Sequence, residues 1–176
     1  MKRPLRVASL AFFAAIFMLA APVAMAQTTM DEFFSKWENS KKYTLAVLDK
    51  MPESGMNYKT DPAAMSFKDQ IYHIGSAITG IAQGFLLGEV PAFTLDMKTA
   101  TKAEIADYVA KSYDYGTKTM KALTPEQAAE KLEVFGNTVS RRQVMALLMD
   151  HSTHHRGSSI AYLRINGVEP PAFVGF

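Results

Sequence analysis

Phe67, Ile71, Ile74, Ile78, Ile81 and Phe85 recur at alternating steps of four and three residues. At 3.6 residues per turn such positions fall on one narrow stripe, the pattern of a helix packed along its length in a bundle. A strand, whose side chains alternate with period two, would scatter the same set over both faces. A second stripe, Val144, Leu148, His151, His155, Ser158, Tyr162 and Ile165, has the same stepping. Its first members are apolar, but its centre holds two histidines where core residues are expected.

The punctuation around these stripes marks out the other elements. Thr29-Met30-Asp31-Glu32 reads as a capping box. It opens a helix carrying Phe33, Phe34, Trp37, Leu45 and Leu48 that stops before Pro52. Pro52 to Met65 is rich in turn formers and reads as a loop. Ser66 begins the second helix, with Asp69 favourable in its first turn, and Gly88 ends it. Glu89 to Thr99 is a connection. A box from Thr101 to Glu104 opens a third helix reaching about Ala122, with Ile105, Tyr108, Val109, Tyr115 and Met120 among its apolar residues. Thr124-Pro125-Glu126-Gln127 predicts a short helix with proline at its first position, and Leu132 to Thr138 reads as β-like or loop. Ser140 to Gln143 opens the last long helix, which Asn166-Gly167 and Pro170-Pro171 stop near Ile165. Helices without a convincing set of strands predict an all-α, four-helix bundle.

Residues 1–26 are expected to lie outside that bundle. Lys2, Arg3 and Arg6 form a basic start, Val7 to Ala21 is apolar, and Ala24-Met25-Ala26 puts small residues where a signal peptidase reads. That is the layout of a secretory signal. The alternative is an uncleaved anchor, but the apolar run falls short of the about 20 residues a spanning helix needs. The expectation is therefore an exported protein, periplasmic or secreted, with no stable membrane anchor after cleavage and one domain over residues 27–176. Three of the 19 Lys and Arg and none of the 17 Asp and Glu precede residue 27, so the formal charge of +2 becomes −1 for the remainder. No basic face argues for nucleic acid. The absence of cysteine excludes disulfides, thiolate metal sites and a cysteine nucleophile. Any transition-metal site must use histidine with carboxylates or water.

The histidines are four: His73, His151, His154 and His155. A buried imidazole without a partner loses the water at its ring nitrogens, and two of them at i and i+4 repel when both are protonated. A shared metal ion answers both problems, because that spacing puts the rings on one side of a helix. His154 lies about 100° around the helix from His155 and is expected outside the ligand set. His73 is the remaining candidate for a third ligand. It shares a side of its helix with Ala77, Gly80 and Gly84, small residues that predict close approach of the last helix there. The residues alone leave open that His73 is an ordinary half-buried ring.

Three further residues have two readings each. Arg156 reads as half of a structural ion pair with an acidic residue of a neighbouring helix, or as the holder of an anionic substrate. Asp150 could accept an N–H from a ligand histidine or simply be solvated. Tyr162, two turns beyond His155, could line a cavity or pack in the core. There is no Ser-His-Asp signature, no Gly-rich phosphate loop and no H-E-x-x-H, so a zincin-type general base is missing.

His151-Ser152-Thr153-His154-His155-Arg156-Gly157, with its continuation to Pro171, closely resembles the C-terminal signature of the DinB family of four-helix-bundle metalloproteins (unrelated to the DNA polymerase of that name). Asp69-Gln70-Ile71-Tyr72-His73-Ile74 resembles the family's second-helix block. The resemblance implies a mononuclear divalent metal, zinc, nickel or a similar ion, held by His73, His151 and His155 and completed by water. It implies metal-dependent transferases using small thiols, or hydrolases. Export weighs against thiol transfer, because those thiol cofactors are cytosolic. The alternative is a non-catalytic metal or small-ligand binding protein of the cell envelope. Ser158 departs from the family's usual Gln, and Asp150 from its frequent Asn, two positions that would shape the surroundings of the metal or the substrate pocket. The expected partner is a small molecule, with a homodimer left open.

Overall fold

The computed structural model describes residues 29–175; the segment read as a secretory signal lies outside them. The element order is α1 (Met30–Lys50), a single 3₁₀ turn (Glu53–Gly55), α2 (Phe67–Phe85), α3 (Lys102–Ala122), α4 (Pro125–Ala129), β1 (Lys131–Val134), β2 (Asn137–Ser140) and α5 (Arg141–Ile165). The four long helices form the bundle. No helix among the described residues is long and apolar enough to cross a membrane.

Local chemistry sets the helix ends. Thr29, Ser66, Thr101, Thr124 and Ser140 each accept a hydrogen bond from the backbone N–H three residues on, and Glu32, Asp69, Glu104, Gln127 and Gln143 bond back. Each cap contributes about 1 kcal/mol. At the far end of α5, Gly167 has φ +72. Its N–H bonds to Arg164 and that of Val168 to Leu163, a Schellman stop that favours glycine at the left-handed position. The stretch left as β-like or loop is an antiparallel hairpin with Val134 opposite Asn137. Its turn residues Phe135 and Gly136 have φ of 49 and 80, the hand that matches strand twist in a two-residue turn.

α2 packs against α3 and α5, and α1 packs against the same two. The core between them holds Trp37, Phe67, Ile71, Ile74, Ile78, Ile105, Tyr113 and Leu148. Two stripe members depart from expectation at the end of α2. Ile81 and Phe85 are half-buried, while Ala82 and Leu86 are fully buried in their place. A 3.5-residue repeat drifts about 20° per heptad on a straight α-helix, so the core face moves off the stripe. On α5, Ile165 is 59% exposed and Leu163 is buried. That helix touches both α1 and α2, so its buried face is wider than one seam and includes Met145, Met149, Ser152 and Ser159.

The small-residue stripe of α2 does not serve close packing. Gly80 and Gly84 are exposed, and a Cβ on either would meet nothing within 4 Å. Close approach occurs on the other side. A Cβ at Gly75 would stand 2.9 Å from the Tyr108 ring of α3, and one at Gly116 would stand 3.0 Å from Ile78.

Candidate metal centre

α2 and α5 run antiparallel, and both ends of the pair are pinned. The Tyr162 hydroxyl donates to the carbonyl of Met65, just before α2, at 3.1 Å. Arg141, at the start of α5, donates to the carbonyl of Phe85 at the end of α2. This register sets His73, the seventh of the 19 residues of α2, level with the turn of α5 that carries His151 and His155. The ring centroids lie 5.0 Å apart for His73 and His151, 4.6 Å for His73 and His155, and 4.5 Å for His151 and His155. One nitrogen from each ring lies within 4.8 Å of the other two. Tetrahedral zinc, with bonds of about 2.0–2.1 Å, needs its nitrogens about 3.3 Å apart.

The electrostatics suit a cation. Burial, followed by the charges that His151, His73 and His154 would carry, pushes His155 down to about 4. Burial, then His73 and His154, lowers His151 as well. Both rings are therefore neutral at pH 7, with lone pairs available to a metal. His155 is 9% exposed, whereas His73 and His151 are half-buried, so the cluster has a dry side and a side partly exposed to solvent. His154 is exposed and outside the cluster, as its helical angle predicts.

Gln70 is the residue that sequence reasoning missed. Its Oε1 lies 2.5 Å from Nδ1 of His155, and its side chain is 8% exposed. The available signal was its spacing: Gln70 stands one turn before His73, on the same side of α2.

Asp150 does not have the ring-accepting role. It is exposed and faces a shallow groove shared with Met30, Phe33 and Lys36 of α1. Five residues from His155 amount to about 140° around the helix, which turns Asp150 away from the cluster. Arg156 is buried but, among the described residues, has no carboxylate partner. Its Nη1 donates to the carbonyl and, at 2.7 Å, the hydroxyl of Ser40, and to the Thr44 hydroxyl at 3.2 Å. Its Nη2 donates to Thr153, and the guanidinium lies 5.1 Å over the Tyr43 ring. The expected ion pair is thus replaced by hydroxyls and an aromatic face of α1, because Arg156 is rotated one residue away from the histidine side. Tyr162 is a packed core residue that ties the 52–65 loop to α5, accepting from Thr60 and meeting the Tyr58 ring edge-on at 5.7 Å. Half-buried Ser158 donates to the carbonyl of His154.

The model of the DinB family matches residues 25–175. The chain belongs to the DinB family. Among curated relatives, the uncharacterized protein YjoA of Bacillus subtilis is 24% identical over 141 residues, which cover 78% of this chain and 90% of YjoA. The fold is shared with solved structures, among them those of three Bacillus proteins. A DinB-like protein from Bacillus cereus superposes with a TM-score of 0.69 at 19% identity, over 84% of this chain and 99% of its own. YjoA itself gives 0.67 at 20% identity, over 82% and 99%. YfiT of Bacillus subtilis, described as a probable metal-dependent hydrolase with an unusual four-helix bundle topology, gives 0.59 at 16% identity, over 81% and 92%. The DinB-family four-helix bundle is the architecture that places this chain's three histidines together.

Proposed function

We propose that His73, His151 and His155 hold one divalent ion, zinc or nickel, and that the protein is an exported metal-dependent hydrolase of a small molecule. The observation that carries this reading is the convergence of three imidazoles from two helices, with one nitrogen of each within 4.8 Å of the others. The description of the structurally similar YfiT as a probable metal-dependent hydrolase supports the same class. An ion on three neutral ligands keeps its full charge and acts as a Lewis acid toward a substrate at its open positions. The chain's own part is to hold that ion between α2 and α5, dry on the His155 side and partly exposed on the side of His73 and His151. Among the described residues no carboxylate joins the cluster. That favours, as a second reading, a non-catalytic metal or small-ligand binding protein of the cell envelope.

Elemental analysis of gently purified protein is expected to find about one zinc or nickel per chain. His155→Ala should lose the ion and His154→Ala should keep it. Failure to retain metal, and to take it up at micromolar concentration, would sink the proposal. A hydrolase screen on ester, amide and phosphate substrates, with and without chelator, separates the two readings. Export is tested by N-terminal sequencing of the cell-envelope or secreted protein, with Gln27 expected as the first residue.

A further inference from the structure

We infer that Gln70 is a positioning residue that fixes the tautomer of His155 and so selects Nε2 as its metal-binding nitrogen. An amide oxygen can only accept, so the 2.5 Å contact with Nδ1 requires the proton on Nδ1. The lone pair is then on Nε2, the nitrogen left free for the cluster. The contact is buried, with Gln70 8% and His155 9% exposed, so water does not compete for it. His155 is also the one of the three rings that has a protein hydrogen-bond partner among the described residues. His155 is therefore an anchor oriented in advance, and the half-buried His73 and His151 rings stand beside it, their centroids 4.6 and 4.5 Å away. The amide makes a second demand. A carboxylate in its place would accept the same hydrogen bond more strongly and make the ring a better donor to a cation. Glutamine supplies the orientation while leaving the site without added negative charge.

This inference rests on the metal reading for its consequence but not for its test. The tautomer is read in metal-free, ¹⁵N-labelled protein from the long-range proton couplings of the imidazole nitrogens. Wild type should show His155 protonated on Nδ1. Gln70→Leu should shift it toward the Nε2-protonated form that free histidine favours. In competition with a chromophoric chelator, zinc affinity of Gln70→Leu should fall about 10- to 100-fold, as for other outer hydrogen-bond partners of metal ligands. Gln70→Glu should keep the Nδ1 proton and bind zinc at least as tightly as wild type.

An Nε2-protonated His155 in wild type, with the amide turned to donate, overturns the inference. So does a Gln70→Leu protein whose tautomer and zinc affinity are unchanged. If Gln70→Leu does not fold, Gln70→Glu decides alone: loss of either the tautomer or zinc binding overturns the assignment. A wild type that binds no zinc, yet loses its Nδ1 tautomer on Gln70→Leu, would sink the metal reading and sustain the role of Gln70.

Discussion

At the scale of single residues, neighbours one or two positions apart on α5 have unrelated roles because each step turns the side chain by about 100°. His155 faces α2, Arg156 faces α1, and His154 faces solvent. Arg156→Ala is therefore expected to cost about 1–3 kcal/mol through its unmade hydrogen bonds to Ser40 and Thr44, while leaving metal content unchanged. Denaturant titration and elemental analysis check the two halves; loss of metal without loss of stability would move Arg156 into the site. The histidines also give the metal-free protein a pH dependence. Folding holds His155 at about 4 and lowers His151, against about 6.5 in an unfolded chain. In the window between these values the unfolded state binds more protons, so stability falls as pH drops. Melting curves of chelator-treated protein should show a falling midpoint from pH 7 to 4, and a flat profile would contradict the neutral buried pair.

At the scale of elements, the helix starts were the most legible feature and the buried faces the least. Capping pairs such as Thr101 with Glu104 lie three residues apart, so the sequence displays both partners and the structure has only to close them. Which side of a helix is covered depends on neighbours that are remote in sequence. The glycines of α2 show this. Gly80 and Gly84 suggested an interface, yet they face open space, while Gly75 is the one pressed against Tyr108. Opposite effects of one substitution follow. Gly80→Ala should stabilise by about 0.5–1 kcal/mol, because alanine loses less backbone freedom in a helix and meets no obstacle. Gly75→Ala should destabilise by about 1–3 kcal/mol through overpacking on the Tyr108 ring. Urea denaturation of both variants is the check, and equal effects would mean the two faces are not distinguished as described.

At the scale of the whole molecule, an ion shared by His73 and the His151–His155 pair would cross-link α2 to α5 without a disulfide, which a chain lacking cysteine cannot form. Free zinc at 100 times its dissociation constant should then stabilise the native state by about 2.7 kcal/mol. A thermal midpoint insensitive to zinc and to chelator would count against the cross-link. The sequence by itself determined the all-helical class, the helix starts, the family signature and the candidate histidines, because periodicity, capping and spacing along one helix are local quantities; the end of α2 it placed at Gly88, whereas the helix stops at Phe85. Spacing left open whether His73 meets the other two, and only the family resemblance implied it. Tertiary structure brings them together, since the pairing depends on the antiparallel register pinned by Tyr162 with Met65 and Arg141 with Phe85. It also decided that Gln70 rather than Asp150 meets a ligand ring, and that Arg156 rests among hydroxyls rather than beside a carboxylate. Each of these is a contact between residues more than 50 positions apart. Such contacts are set by how buried faces pack against one another, and no local spacing along the chain encodes them.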